Sequence, residues 1–406
     1  MQSGDLHKVI VDVLAEIDVH ITSPIEAFGI TGMAEAGLIL DMQDEALCNI
    51  LAWNDSRPDE VVEELFTEVT RSEFTSITGL PTNSRATIAK LLWLQSQITF
   101  PQGARWVGVP EWVAFILGGK LVAERSLASR TGLYDILADD WRDDFQNAVF
   151  KTHFEMPELV STQDILGRID RKGSHFNGAA LIVAGHDHMC AAIGTGESNS
   201  FNIVDSMGTG EALSREVRLD QLSPQTIEAA VADGITIGRH PLPGRYSAMV
   251  GLGSGLILKS ALEIMGIKGE FEGNQATILH LSQDALSVVD GPVFNELDPA
   301  SWSLMKNEEK ESDARIWRGA LDFVGRRAQR GVNMLDQHFG RHTSIVACGG
   351  WLRNEAITVT KSIYLGDFYI SEISEPGCFG AAQLASRAAG FDDLTNSPTA
   401  KRLINT

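Results

Sequence analysis

The segment Val183-Ala184-Gly185-His186-Asp187-His188-Met189-Cys190-Ala191-Ala192-Ile193-Gly194 decides the fold that we expect for this chain. The apolar residues before it predict a strand that stops at Gly185, and the small residues after His188 predict the beginning of a helix. This turn holds the Asp187 carboxylate at the end of a strand. Further on, Asp205-Ser206-Met207-Gly208-Thr209-Gly210 predicts a tight turn whose backbone N–H groups suit phosphate oxygens. One acid near one phosphate-binding turn indicates phosphoryl transfer to a hydroxyl group.

The composition is that of an ordinary globular protein large enough for two domains. The chain has 406 residues and a formal net charge of −21. Such an acidic surface repels nucleic acid and anionic membranes, so we expect neither as a partner. No apolar run has the length of a membrane span. The four cysteines lie far apart and without a Cys-x-x-Cys pair, which favours a reducing compartment and hence a cytoplasmic location.

Strands alternate with helices along both halves of the sequence, which predicts an α/β protein of two similar lobes. The first lobe is expected to span residues 1–197 and the second residues 198–406. Apolar runs at 25–30, 37–40 and 50–53 predict strands of one sheet. Helical spacing of apolar residues predicts helices over about 7–19, 84–97 and 314–339, and the polar stretch 307–313 predicts a surface loop.

Seven short motifs, in order along nearly the whole chain, resemble the FGGY family of carbohydrate kinases, which belongs to the actin/hexokinase superfamily. They are Ile30-Thr31-Gly32-Met33-Ala34-Glu35-Ala36-Gly37-Leu38, Trp53-Asn54-Asp55-Ser56-Arg57, Lys90-Leu91-Leu92-Trp93-Leu94, Ala128-Ser129-Arg130-Thr131-Gly132-Leu133-Tyr134-Asp135, Gly185-His186-Asp187, Gly349-Gly350-Trp351-Leu352-Arg353-Asn354 and Gly380-Ala381-Ala382. The resemblance implies a two-lobed, ribonuclease H-like kinase fold with a cleft between the lobes. It also implies ATP and Mg²⁺ as cofactors and a small sugar or polyol as substrate, and it leaves a homodimer open.

The resemblance also implies a role for particular residues. Asp187 takes the place of the catalytic aspartate and would accept the hydroxyl proton during phosphoryl transfer. The residues implied in sugar binding are Ala34, Glu35, Trp53, Arg85 and His188. The residues implied in nucleotide binding are Gly208, Thr209, Gly210, Gly349, Gly350 and Asn354.

Each of these residues also has a plain structural explanation. Asp187 could be a helix N-cap, His188 a buried histidine with satisfied hydrogen bonds, and Arg85 an exposed arginine. Core packing explains Trp53 equally well. The glycines of both loops could serve only a tight turn or a helix entry.

One family feature is missing from the sequence. The family begins with a hairpin that carries Asp-x-Gly-Thr-Thr, whose aspartate handles the metal and whose turn holds the phosphates. No Asp-x-Gly-Thr occurs in this sequence, and its first helix is one that the family places after the hairpin. Either the gene sequence is incomplete or the protein has lost ATP-hydrolysing capacity, and no metal ligand is expected within this chain.

Two other functions stay open. His186, Asp187 and His188 could begin the site of a metal-dependent hydrolase, although such a site needs further ligands at later strand ends. The chain could also be a catalytically impaired kinase homologue that binds sugar or nucleotide.

Overall fold

The structure, a computed structural model, describes residues 2–152, 154–196, 199–208, 210–268, 274–292, 311–391 and 401–404. The chain divides into two compact units, and neither is continuous in sequence. Unit 1 consists of Met1–Gly194, Glu216–Ala248 and Gly377–Pro398, and unit 2 of Thr195–Arg215, Met249–Pro376 and Thr399–Thr406. The single predicted boundary between residues 197 and 198 therefore does not describe these units, because segments from the second half of the chain complete unit 1.

The central sheet of unit 1 joins strands that are far apart in sequence. Strand β1 (Ala27–Gly32) pairs in parallel with β9 (Ala180–His186), and β8 (Gly167–Arg168) pairs antiparallel on the other side of β9. Every residue of β9 is buried, as expected for a central strand whose two faces are both covered. The strand continues one residue beyond the predicted end at Gly185.

The other strands of unit 1 form two-stranded ladders and a short additional pair. They are β2 (Gly37–Leu40) with β3 (Arg105–Gly108), β4 (Val122–Glu124) with β7 (Glu158–Val160), and β5 (Tyr134–Asp135) with β6 (Asp140–Trp141). Strand β12 (Thr236–Arg239) is not part of these ladders; it pairs with β13 (Tyr246–Gly251), whose first residues also belong to unit 1. The prediction of one sheet for 25–30, 37–40 and 50–53 was wrong. Residues 37–40 belong to a different sheet from β1, and Leu51 makes only an isolated bridge to Gly37.

The helices of unit 1 surround these strands, and the predicted helices over 7–19 and 84–97 are confirmed with shifted ends. The bounds are α1 Ser3–Asp18, α2 Val62–Glu68, α3 Arg71–Thr78, α4 Thr87–Gln97, α5 Val109–Ile116, α6 Arg125–Ala128, α7 Asp143–Val149, α8 Asp187–Gly194 and α9 Pro224–Ala232. A helix over Pro376–Ala388 lies largely in the same unit. Its residue Gly380 packs against α8, since a Cβ there would lie 1.9 Å from the Cys190 carbonyl oxygen.

Unit 2 contains most of a second sheet. Its strands include β10 (Asn202–Met207), β11 (Glu211–Val217), β13 (Tyr246–Gly251), β14 (Ser344–Cys348), β15 (Phe368–Ser371) and β16 (Lys401–Ile404), in the order β13-β11-β10-β14-β15-β16. Its helices include α10 (Ser254–Ile264), α11 (Gln275–Leu286), α12 (Asp313–Phe339) and α13 (Glu355–Leu365). The long helix predicted over 314–339 is confirmed. The predicted loop over 307–313 lies mostly outside the described residues.

The longest helix of unit 2, Asp313–Phe339, shows how the sequence pattern sets the packing. Ser312 accepts a hydrogen bond from the Arg315 backbone N–H and so caps its start, and Gly340 follows its end. One face, which includes Trp317 and Leu335, is fully buried. No helix among the described residues combines the length and the apolar character that a membrane crossing requires.

Candidate functional site

The carboxyl ends of β1 and β9 bring the most important predicted residues of unit 1 together. Gly32 and His186 are partners in the parallel ladder, and the Thr31 hydroxyl donates a 2.8 Å hydrogen bond to the Gly185 carbonyl. Met33, Ala34 and Glu35 therefore follow one strand at the same sheet edge where Asp187 follows the other. The edge beyond the carboxyl ends of parallel strands is a common place for ligands in α/β proteins.

Asp187 begins helix α8 with its side chain 45% exposed. Its carboxylate accepts a 2.7 Å hydrogen bond from the His188 backbone N–H. Burial works to raise the pKa of Asp187, but the neighbouring His186 and His188 and the His188 N–H outweigh it and lower the pKa below the ordinary value. Asp187 is therefore an ionised, accessible carboxylate at neutral pH. The hydrogen bond from the His188 N–H is compatible with both explanations of Asp187, a general base and a helix N-cap.

His186 is buried directly behind this carboxylate. Its Nε2 lies 3.8 Å from an Asp187 carboxylate oxygen, and its Nδ1 is buried without a hydrogen-bond partner among the described atoms. Burial lowers the pKa of His186 to about 4, so the ring is neutral at neutral pH. His188, which was predicted to bind substrate, is half-buried, with its ring centre 5.5 Å from that of His186.

A buried ion pair completes this edge. Glu35 Oε1 accepts a 2.8 Å hydrogen bond from Arg130 Nε and lies 2.6 Å from Arg130 Nη2 in an ion pair, and the two side chains are only 12% and 11% exposed. Glu35 has a left-handed backbone, with φ of 57°, which is uncommon for a residue other than glycine. Sequence reasoning quoted Arg130 in a motif but gave it no role. The signal in the sequence that could have indicated a role for Arg130 is its position as a lone arginine within a run of small residues.

A chain of buried hydrogen bonds holds the turn between β9 and α8, where His186 is followed by Asp187. The buried Glu124 carboxylate accepts from the backbone N–H groups of Ser126 and Leu127 and from the Ser126 hydroxyl. The Ser126 oxygen in turn accepts a 3.0 Å hydrogen bond from the His186 N–H. Burial raises the pKa of Glu124 to about 7 in spite of these donors. Sequence reasoning missed Glu124.

A pocket opens beside the same edge. Its lining combines aromatic walls with a few polar groups and includes the predicted residues Ala34 and Glu35; the other lining residues are Met33, Ala36, Thr87, Trp106, Gly108, Pro110, Glu111, Val122, Ala123, Leu127, Ala128, Thr131, Trp141 and Pro157. The lining mixes apolar surface with a few polar groups, and the space that it encloses is small, about 20 Å³. Glu111 is another residue that sequence reasoning missed.

Two residues predicted to bind substrate lie outside this pocket lining. Trp53 is half-buried in the turn that precedes Asp55. The Asp55 carboxylate accepts a hydrogen bond from Arg57 Nε, and the Arg57 guanidinium stacks 4.1 Å from the centre of the Trp93 ring. Arg85 is exposed, and its carbonyl oxygen accepts from the buried Lys90 ammonium. The structure thus gives both residues a position in a turn, and their binding roles stay predictions.

In unit 2, the predicted nucleotide-binding glycines lie at the carboxyl ends of the parallel strands β10 and β14. Ser206 and Cys348 are partners in this ladder, so Gly208 and Gly349 follow it at the same edge. Gly349 has φ of 116°, and a Cβ there would lie 2.2 Å from the Met207 carbonyl oxygen. Gly349 is therefore required by packing, whereas Gly210 and Gly350 have open space where a side chain would be. Thr209 lies outside the described residues.

Asn354 does not offer its amide to a nucleotide base in this structure. Its Oδ1 accepts from the Ala356 N–H as the N-cap of Glu355–Leu365, and its Nδ2 donates to the Ser282 hydroxyl at 2.8 Å. The side chain is 4% exposed. Both hydrogen-bonding ends of the amide are thus already engaged, and the nucleotide-binding role of Asn354 stays a prediction.

The alternative of a metal site at His186, Asp187 and His188 finds no support in the geometry. Among the described residues, no three histidine, cysteine, aspartate or glutamate side chains converge as metal ligands.

Comparisons with known proteins agree with the fold. Residues 4–194 match the profile of the FGGY family of carbohydrate kinases, N-terminal domain. The chain is 26% identical over 396 residues to a glycerol kinase of Methylorubrum populi, an alignment that covers 90% of this chain and 76% of that protein.

Solved structures show the same fold at low sequence identity. The ligand-bound xylulose kinase of Lactobacillus acidophilus superposes with a TM-score of 0.79 at 16% identity, covering 100% of this chain and 84% of that one. The glycerol kinase of Plasmodium falciparum with ADP gives a TM-score of 0.71 at 20% identity, covering 91% and 76%. These likenesses confirm the predicted actin/hexokinase-like α/β fold.

Proposed function

Because this chain belongs to the FGGY family of carbohydrate kinases, we propose that it transfers the γ-phosphoryl group of ATP to a hydroxyl of a sugar, ketose, polyol or sugar acid, with Asp187 as general base. The observation that supports this most is the placement of Asp187. An ionised, half-exposed carboxylate stands at the carboxyl end of a buried parallel strand, at the same sheet edge as Glu35.

Phosphoryl transfer to an alcohol depends on positioning and on an acceptor for the hydroxyl proton. Asp187 has an oxygen that can take this proton as the new phosphorus–oxygen bond forms. The buried Arg130 holds Glu35 in place, so that the Glu35 carboxylate can accept from an acceptor hydroxyl without moving. In the family, ATP is the phosphoryl donor. For this chain, we place the nucleotide phosphates at the turn of Gly208 and Gly210, and we place the base near Gly350, where the backbone is open.

Mg²⁺ would neutralise charge on the transferring phosphoryl group when bound with the nucleotide. No described residue of this chain is assigned to it, since no cluster of ligands converges in the described part. A homodimer and a cytoplasmic location stay predictions of the sequence.

The decisive experiment measures phosphoryl transfer to a panel of neutral polyols, ketoses and sugar acids. Asp187→Asn keeps the side-chain shape but removes the proton acceptor. We expect kcat to fall by about 10²–10⁴-fold with acceptor affinity retained. Asp59→Asn, at an exposed position in the same unit, is the matched control and should leave kcat unchanged. Full turnover by Asp187→Asn would exclude Asp187 as the base.

The same panel distinguishes an active kinase from the alternative of an impaired homologue. Binding of an acceptor or of ATP without any transfer would establish a binding protein. Transfer to any member of the panel would exclude it.

A further inference from the structure

The buried acid Glu124 has no part in the proposed proton transfer, but its hydrogen bonds lead to the proposed base. Glu124 is 1% exposed. Its Oε2 accepts hydrogen bonds from the Ser126 N–H at 2.9 Å, from the Leu127 N–H at 3.3 Å and from the Ser126 hydroxyl. The two backbone donors make Glu124 the N-cap of the one-turn helix α6. The hydroxyl contact goes beyond capping, because it connects Glu124 to a different strand.

The Ser126 hydroxyl is the bridge between this acid and strand β9. Its hydrogen is donated to Glu124, and its oxygen accepts a 3.0 Å hydrogen bond from the His186 N–H. Ser126 is fully buried, so solvent cannot supply either hydrogen bond in its place. Because His186 ends β9 and Asp187 is the next residue, the bridge holds the residue directly before the proposed base.

The bridge acts where the ladder between β1 and β9 is irregular. Ile30 pairs with Val183 and Thr31 with Gly185, so the ladder passes over Ala184 just before the turn. The Thr31 hydroxyl donates to the Gly185 carbonyl within this irregular part. The turn that presents Asp187 thus depends on side-chain hydroxyl groups in addition to the ladder.

The charge on Glu124 matters because hydrogen bonds to a carboxylate are stronger than those to a neutral acid. Burial raises the pKa of Glu124 to about 7, while its hydrogen-bond donors and Arg125 oppose the rise. Burial also raises the pKa of Glu111 to about 8, so Glu111 is uncharged over the range in which Glu124 ionises. The ladder partner of Glu124 on β7, Val160, is apolar. The titratable and charged groups around Glu124 are Glu111 of α5, Arg125 of α6, His186 of β9 and Cys190 of α8.

We propose that Glu124 and Ser126 are positioning residues for phosphoryl transfer: the ionised Glu124 orients the Ser126 hydroxyl, which holds the His186 N–H and so keeps Asp187 in place. This role rests on the proposed function, which supplies Asp187 as the base. Protonation of Glu124 weakens its acceptor for the Ser126 hydrogen. The turn is then held less firmly, and transfer slows although the acceptor still binds.

The first test measures kcat and the acceptor KM with ATP, Mg²⁺ and the acceptor that the wild type uses best. Ser126→Ala removes the bridge but leaves the backbone N–H groups of α6 to Glu124. We expect kcat to fall about tenfold or more, and KM to stay within about threefold, because the base is displaced while the acceptor still binds. Thr78→Val is the matched control. It also removes a buried hydroxyl, which donates to the Phe74 carbonyl and accepts from the Leu80 N–H in α3, and it should keep the wild-type kcat.

The second test is the pH profile of kcat, which a purely structural role of Glu124 would not set. The wild-type kcat should fall below an apparent pKa of about 7, as Glu124 takes up a proton. Glu124→Gln keeps an oxygen that accepts from the three donors but cannot ionise, so this fall should disappear. Glu111→Gln removes the other buried carboxyl and should leave the fall in place, because Glu111 is uncharged below about pH 8.

Hydrogen exchange of residues 183–194, followed by mass spectrometry at pH 8, reports on the turn without any turnover. Exchange should be faster in Ser126→Ala than in the wild type, and unchanged in Thr78→Val. Wild-type kcat in folded Ser126→Ala, wild-type exchange in that variant, or an unchanged fall of kcat in Glu124→Gln would overturn the proposal. If the wild type transfers no phosphoryl group, the proposed function fails instead, and faster exchange in Ser126→Ala would still support the hold on His186.

Discussion

The buried triad of Lys361, Asp205 and Glu211 in unit 2 gives a prediction whose size follows from the structure. The Lys361 ammonium donates to a carboxylate oxygen of Asp205 and, at 2.5 Å, to one of Glu211. All three side chains are at most 1% exposed. The ammonium thus joins β10 and β11 to the helix Glu355–Leu365 next to the glycine turn.

Lys361→Met removes the cation and leaves two buried carboxyl groups facing each other. Breaking a buried ion pair from one side costs about 3–5 kcal/mol, because the remaining charge has no partner. Uptake of a proton offsets part of this cost at low pH. We therefore expect unit 2 to lose about 3 kcal/mol or more at pH 8, and less at pH 5.

The triad also predicts a pH dependence, since it holds two carboxyl groups and one cation. Burial raises the pKa of Asp205 from 3.8 to about 7, with Lys361 opposing and Glu211 adding to the rise. Between pH 4 and 7 the folded state retains a proton that the unfolded chain releases. Stability from this group therefore falls as the pH rises through that window, by at most about 1.4 kcal/mol per pH unit. Asp205→Asn removes this contribution and should flatten the dependence.

The assay is urea unfolding followed by tryptophan fluorescence, since Trp317 is fully buried in unit 2. Lys268→Met, at an exposed lysine of the same unit, is the control for loss of a positive charge. Two results would refute the reasoning. One is Lys361→Met unfolding within about 1 kcal/mol of the control at pH 8, and the other is Asp205→Asn with the wild-type slope between pH 4 and 7.

Three further variants test the elements around the two candidate sites. Gly349→Ala should lower the melting temperature by several degrees, because φ is 116° and its Cβ would meet the Met207 carbonyl, while Gly350→Ala in open space should not change it. Asn354→Ala should cost about 1 kcal/mol in urea unfolding through loss of the helix cap, and more if the Ser282 contact also contributes; wild-type stability would contradict the cap. Arg130→Leu should lower acceptor affinity in calorimetry more than Arg168→Leu does, because it leaves Glu35 buried without its cation; equal effects would separate Glu35 from the acceptor.

The sequence predicted the Asp187 corner because local signals agree there. An apolar run, a glycine and then small residues indicate a strand followed by a helix, and the structure has the helix begin at Asp187 itself. The long helix Asp313–Phe339 was predicted for the same reason, since its apolar residues recur at a regular helical period, and the structure adds the Ser312 cap at its start. Both features depend on residues that are close together in the sequence.

The pairing of strands that are far apart in the sequence could not be predicted from such local signals. Nothing in residues 37–40 reveals that they pair with 105–108 and not with β1. Nothing near Asn354 in the sequence reveals that its amide donates a hydrogen bond to the Ser282 hydroxyl, 72 positions away. Glu111 stands in an apolar helix, where a lone acid has no local partner. Only the neighbouring strand, which brings Glu124 to it, shows that it is buried at a pocket.

Gly185 shows how the corner that presents Asp187 depends on buried residues far from it in the sequence. Its φ is 99°, and a Cβ there would lie 2.5 Å from the Ser126 hydroxyl and 2.9 Å from the Glu124 carboxylate. The glycine before the catalytic candidate is therefore needed so that the Glu124–Ser126 pair can reach the His186 N–H and hold the corner that presents Asp187. A change at Gly185 should therefore disturb this corner and lower the rate of the proton transfer proposed for Asp187.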